Sequence, residues 1–127
     1  MSDTTTKGIR VHVVSTFLAD RSAPRENKYL FAYHVTISNT GAETAKLISR
    51  HWLITDTDGD VREVKGDGVV GEQPVLQPGA SYEYTSFCDL TTAVGVMEGS
   101  YTLVTTDGQS FEARIAPFTL AMPNALN

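Results

Sequence analysis

The sequence predicts an all-β domain, a two-sheet antiparallel sandwich of about seven strands. Three observations carry that expectation. Apolar, β-branched and aromatic residues alternate with polar ones at a period of two along most of the chain. Asp-Gly pairs at 58–59 and 107–108 each separate two such runs, which is hairpin chemistry. No stretch as long as a packed helix carries a 3.6-residue periodicity.

Strands are expected at Ile9 to Phe17, Tyr29 to Ser38, Lys46 to Asp56, Val61 to Lys65, Ser81 to Phe87, Ser100 to Thr106 and Ser110 to Leu120. In the second run Tyr29, Phe31, Tyr33, Val35 and Ile37 share one face, whereas Ala32, His34, Thr36 and Ser38 share the other. That is a sheet buried on one side only. Asp58-Gly59 and Asp107-Gly108 should supply the positive φ angles of tight antiparallel turns. In the last run Phe111, Ala113 and Ile115 are odd-numbered but Phe118, Leu120 and Met122 are even. The inward face therefore changes parity around Ala116-Pro117, and a bulge is expected there. Pro117 has no amide hydrogen for a ladder, which places this strand at a sheet edge.

Leu76-Gln77-Pro78-Gly79-Ala80-Ser81-Tyr82 is a proline-glycine turn leading into a strand with an early tyrosine. In immunoglobulin-like and fibronectin type III-like sandwiches such a tyrosine returns its hydroxyl to nearby backbone, and the same is expected of Tyr82.

Composition narrows the function classes. A chain of 127 residues makes one domain, with its core at about residues 9 to 120 and loosely ordered ends. Ten Lys and Arg against fifteen Asp and Glu give a net charge of -5, which disfavours DNA or RNA as partner. The single cysteine, Cys88, excludes an intrachain disulfide and points to a reducing cytoplasm. Met1 to Gly8 is polar, unlike a secretory signal, and no apolar run is long enough to cross a bilayer.

Gly66-Asp67-Gly68-Val69-Val70-Gly71 spells G-x-G-x-x-G, which in dinucleotide-binding folds brings backbone amides to a pyrophosphate at a helix N-terminus. Here Glu72-Gln73-Pro74 and a second turn follow, so a connector between strands is expected instead of a helix. From Asp56 to Glu72 six acids face two bases, Arg62 and Lys65, and this charge repels a bare phosphate. Asp56, Asp58 and Asp60 alternate as oxygen ligands can, but they miss the spacing of a calcium loop and read as a polar hairpin tip. His12, His34 and His51 fall on three different strands without ligand spacing relative to Cys88, and G-x-S-x-G does not occur. Trp52 is expected in the core beside a surface or hydrogen-bonded His51. Phe87, Val94, Val96, Met97 and Tyr101 are expected mostly in the core, with an exposed interaction patch as the alternative.

Taken together, His51-Trp52-Leu53-Ile54-Thr55-Asp56, the run from Gly66 to Pro74, Leu76-Gln77-Pro78-Gly79, Tyr82 to Ser86, Gly99-Ser100-Tyr101 and Phe111 to Phe118 resemble the ApaG family over nearly the whole chain. The resemblance implies a fibronectin type III-like β-sandwich, bacterial origin and an association with cobalt resistance and magnesium efflux. In that family the gene often accompanies the one for diadenosine tetraphosphate hydrolase. Related domains in eukaryotic F-box proteins and a polymerase-delta-interacting protein imply protein binding, with no catalytic residues and no cofactor. The family's glycine motif has been regarded as a pyrophosphate-binding element, and Gly66, Gly68 and Gly71 match it. The leading expectation is a non-catalytic module for a protein partner. The second is a small-ligand binder for pyrophosphate or a metal-nucleotide, using Gly66, Gly68, Gly71, Arg62 and Lys65.

Overall fold

A computed structural model describes residues 1–125. Nine strands form two antiparallel sheets. The first contains β1 (Ser2–Thr6), β2 (Ile9–Phe17), β3 (Tyr29–Asn39) and β7 (Ser81–Leu90), in the order β1-β2-β3-β7. The second contains β4 (Ala45–Asp56), β5 (Val61–Asp67), β8 (Val94–Thr105) and β9 (Ser110–Ala121), in the order β5-β4-β8-β9, with the short β6 (Val75–Leu76) also on β4.

All seven expected strands are present, and two more appear. The N-terminal segment, expected to be loose, is β1, paired with β2 from Ser2↔Val13 to Thr6↔Ile9. Its side chains are polar, so no apolar alternation advertises it. A two-residue turn at Lys7-Gly8, with φ of 47° and 83°, folds it back. β6 is too short to carry a period. The expectation of a loose C-terminal end extends to residues 126 and 127, which lie outside the described residues.

The two inner faces interdigitate as alternation requires. Val11 and Val13 of β2, and Phe31, Tyr33, Val35 and Ile37 of β3, meet Leu47, Trp52 and Ile54 of β4, Met97, Tyr101 and Leu103 of β8, and Ile115, Phe118 and Leu120 of β9. Trp52 is the hub, with Tyr33, Phe118 and Tyr101 at ring-centroid distances of 5.3, 6.0 and 6.3 Å, all edge-on. Tyr84 and Tyr101 pair their hydroxyls, which satisfies both in the core. Burial raises both phenols well above their ordinary values, so both stay neutral.

Two bulges hold this registry. In β9 the pairing passes from Met97↔Phe118 to Gly99↔Ile115, so the extra residue expected at Ala116-Pro117 is there, on an edge strand of the second sheet. A second, unexpected bulge in β4 takes the pairing from Leu47↔Leu103 to Ser49↔Thr102. It switches the inward set from Ala45 and Leu47 to Trp52 and Ile54.

Two turn expectations need correction. At 56–60 and 105–109 only Gly59 and Gly108 take positive φ, 86° in each case, while the preceding aspartates do not. The bonds Asp56 N to Asp60 O (3.1 Å) and Thr105 N to Gln109 O (2.9 Å) close longer hairpins with a glycine bulge. Tyr82 does not form a tyrosine corner. Its hydroxyl donates to the Glu72 carboxylate at 3.1 Å, and the turn backbone is held instead by Asn39, whose O accepts Gly79 N at 2.8 Å. The buried Asn39 side chain donates to Glu43 O (2.7 Å) and Leu76 O (2.9 Å) and accepts Gly41 N (3.0 Å).

The sandwich is closed along one side and open along the other. β9 lies against β1 and β2, where Arg114 N donates to Thr6 Oγ1 at 3.2 Å and Ser15 Oγ to Thr119 O at 3.2 Å. β5 and β7 form the opposite pair of edges; Arg62 of β5 reaches Asp89 O at 2.8 Å, and Tyr82 of β7 reaches Glu72 in the turn after β5.

Gly99 sets the approach of β8 to β4, because a Cβ there would stand 1.9 Å from His51 O and 3.1 Å from Trp52 Cα. Gly99→Ala should destabilise the domain by about 3 kcal/mol in urea unfolding, since the strands must part beside the core hub. Gly59→Ala, in open space but at a φ of +86°, should lose only about 1 kcal/mol.

Candidate functional site

The glycine segment is built from backbone requirements. Gly66 lies within β5, which runs to Asp67, two residues beyond its expected end at Lys65. The Arg50 guanidinium occupies the place of its missing side chain, 2.7 Å from where a Cβ would be. Arg50 Nη1 donates to Asp67 O at 3.1 Å and Gly68 O at 3.0 Å. Gly68 has φ +62°, and a Cβ there would meet Glu72 O at 2.1 Å. Its amide donates to Ile48 O at 2.7 Å, at the bulged residue of β4. Gly71 follows Val70 in a two-residue turn, with φ of 82° and 42°. Val69 N donates to Glu72 O at 2.8 Å and Glu72 N to Val69 O at 2.9 Å, and Val69 is buried.

The chain then runs into β6, so no helix follows Gly71. The amides of Gly68, Val69 and Glu72 are already spent on protein carbonyls. Arg62 and Lys65 do not converge on this turn, because strand alternation places them on opposite faces of β5. Arg62 turns inward, its Nη2 3.5 Å from Cys88 Sγ, while Lys65 lies beside Glu63 at 3.8 Å on the outer face.

Asp56, Asp58 and Asp60 bring carboxylate oxygens within 4.8 Å of one another. Asp56 Oδ1 accepts the amides of Asp58 (2.9 Å) and Asp60 (3.1 Å), so it serves its own hairpin. The histidines stay apart from the thiol. His34 meets Thr85 at 2.8 Å and Glu83 at 3.1 Å on the outer face of the first sheet, and His51 meets Glu63 at 2.8 Å on the outer face of the second. Cys88 lies between the sheets, 4% exposed. Burial pushes its thiol up, partly countered by Arg62. Trp52 is 2% exposed beside the hydrogen-bonded His51, as expected.

A cleft of about 350 Å³ opens between β5 and β7, with Tyr33, Arg50, Ser86 and Cys88 on its walls and Trp52 behind them. Trp52 Nε1 has no hydrogen-bond acceptor among the described residues and lies within its ring cluster. On the solvent face of β7, at the lip of this cleft, Phe87 is 54% exposed, with the Arg21 guanidinium 5.9 Å from its ring. Met97 and Tyr101 are buried as expected, and Val94 and Val96 are half-buried, but Phe87 departs from the core expectation. Its odd position on β7 sets it opposite the buried Tyr84, Cys88 and Leu90. That parity was readable; the cleft was not, since its walls come from β3, β4, β5, β7 and β8.

Comparison with known proteins gives a consistent result. The ApaG domain model matches residues 19–105. The chain is 55% identical over 119 residues to Protein ApaG of Pseudomonas fluorescens, covering 94% of each chain. It is 51% identical to Protein ApaG of Dechloromonas aromatica over the full length of both. Among solved structures, an ApaA protein from Bordetella pertussis superposes with a TM-score of 0.90 at 49% identity, over 92% of this chain and 95% of that one. The C-terminal domain of wzt, 13% identical with a TM-score of 0.52 over 98% of this chain and 78% of its own, shares the fold alone. Sheet order, strand register and these likenesses agree, and the chain belongs to the ApaG family.

Proposed function

We propose that this domain is a non-catalytic binding module that recruits a protein partner along the open side of the sandwich, at the free edge of β7. The observation that carries the reading is Phe87, a large aromatic side chain 54% exposed on a strand whose outer edge has no strand partner among the described residues. An unpaired edge offers main-chain hydrogen bonds to an added strand, and a neighbouring aromatic adds side-chain selectivity. Burial of the thiol and the separation of the histidines from it support a role without chemistry.

The lone cysteine supports a cytoplasmic location. No helix among the described residues is long and apolar enough to cross a membrane, so the family's association with cobalt and magnesium handling is read as indirect, through the partner. The second candidate ligand, pyrophosphate or a metal-nucleotide at Gly66, Gly68 and Gly71 with Arg62 and Lys65, is less well supported, because the Gly68, Val69 and Glu72 amides are engaged and the two cations diverge.

A photo-crosslinking side chain at position 87 should trap a partner in cell extract, while the same group at Glu112, on β9, should not. Phe87→Ala should change stability by less than about 0.5 kcal/mol and weaken recovery of that partner at least about fivefold. Equal trapping from both positions would refute the assignment. Titration with magnesium and diadenosine tetraphosphate should leave the amide signals of Gly66 to Gly71 in place, and shifts confined to that loop would favour the nucleotide reading instead. At pH 8 native Cys88 should react with iodoacetamide at least about tenfold more slowly than in the urea-unfolded chain, as its raised pKa and burial require.

A further inference from the structure

β5 is the other free edge, and its only protection is charge. Edge strands are commonly blunted by proline, by a bulge, by shortness or by charged side chains, and β5 has only the last of these, in Arg62, Glu63, Lys65 and Asp67. Val61–Asp67 has no proline, pairs with β4 without a register shift from Thr55↔Val61 to Ser49↔Asp67, and spans seven residues. Its outward backbone edge meets no other strand among the described residues.

A second copy added to that edge by a twofold axis perpendicular to the sheet obeys a simple rule. Some residue k lies opposite its own symmetry mate, and residues k - n and k + n lie opposite each other on the same face. Three centres pair five or more residues of β5. Centred on Glu63, the strand sets Glu63 against Glu63. Centred on Lys65, it sets Lys65 against Lys65 and Glu63 against Asp67. Centred on Val64, it uses all seven residues, sets Glu63 opposite Lys65 twice and Arg62 opposite the side-chain-free Gly66 twice, and brings no like charges together. Glu63 and Lys65 are 52% and 68% exposed on the outer face; Glu63 meets His51 at 2.8 Å and Lys65 at 3.8 Å within one copy, and cross-strand pairing adds to or replaces these exposed contacts. β7 lacks this property: centred on Ser86 it opposes Glu83 to Asp89, and centred on Thr85 it pairs no opposite charges.

We propose that the β5 edge binds a second copy of this chain, antiparallel about Val64, joining the second sheets of two molecules through reciprocal Glu63–Lys65 pairs. β5 and β7 flank the same open side, so this twofold brings the β7 edges of the two copies toward each other, and the dimer competes with a strand added beside Phe87. Seven residues of edge pairing lie at the small end of specific interfaces, so the dimer is concentration-dependent. Two copies each carrying -5 repel at long range, so the exposed cross-strand pairs must act against that background.

Sedimentation equilibrium over a concentration series tests this on the intact chain. Wild type should dimerise. Glu63→Lys and Lys65→Glu should each weaken the dimer at least about tenfold by turning two attractions into repulsions, and the double variant E63K/K65E should restore it because the pairs are exchanged. Glu112→Lys makes the same net-charge change as E63K on exposed β9 and should leave the association at least as strong. Amide spectra should show all four variants folded, since the substituted side chains are solvent-facing. A wild type that stays monomeric at millimolar concentration would overturn the proposal. So would a double variant no better than the single ones, because the charge register would then be irrelevant. Partner trapping at Phe87 should be undiminished in E63K, since breaking the dimer only frees the β7 edge, so loss of one surface is distinguishable from loss of the other.

Discussion

The rest of the molecule depends on how closely β8 can lie beside β4 at Trp52. The indole fills the space between the sheets and touches Tyr33 on one sheet and Tyr101 and Phe118 on the other. It can do so only because the opposing residue on β8 is Gly99, which leaves no Cβ to collide with His51 O. Both bulges flank that point, the one in β4 a few residues before Trp52 and the one in β9 across from Met97 and Gly99. Each re-aims its strand so that the inward side chains continue to face the hub. Large side chains, one missing side chain and two extra backbone residues therefore act as a single packing solution.

That solution leaves the sandwich asymmetric. On one side β9 packs against β1 and β2, and the exposure of its edge is limited by contacts such as Arg114 N to Thr6 Oγ1. On the other, Arg62 reaches from β5 to β7, and the Tyr82–Glu72 bond ties β7 to the turn after β5. Edges left unpaired in a stable domain present ordered donors and acceptors to whatever approaches. The glycine segment belongs to this architecture. Gly66 admits the Arg50 guanidinium, Gly68 passes under the Glu72 carbonyl, and Gly71 turns the chain back so that Glu72 can accept the Tyr82 hydroxyl. A motif that elsewhere cradles phosphates here closes the open end of a sandwich.

Much of this was legible in the residues, and the exceptions have physical causes. Alternation located seven strands, and the parity change at Ala116-Pro117 announced the bulge in β9, because both signals are local. β1 was missed since its threonines carry no apolar face; it holds to β2 through backbone pairing and the Asp3–Arg10 ion pair. The bulge in β4 was missed because Ile48 sits in a run where neither parity is clearly apolar, and its consequence, a carbonyl turned to accept Gly68 N and the Gln73 side chain, is a contact between segments far apart in the chain. Tyr82 was expected to reach backbone, yet a carboxylate from a distant turn stood closer and accepts more strongly than a neutral carbonyl.

The sequence by itself determined that this chain is an all-β sandwich of the ApaG family with a tryptophan at its centre, because strand period, turn chemistry and residue order are properties of neighbours along the chain. Only the tertiary structure decided which edges stay open, that the Gly68, Val69 and Glu72 amides bond to protein carbonyls, and that Arg62 and Lys65 point apart while Phe87 points to solvent. Those outcomes depend on which strands lie side by side and which face each turns outward, and strand order is set by packing between residues far apart in the sequence.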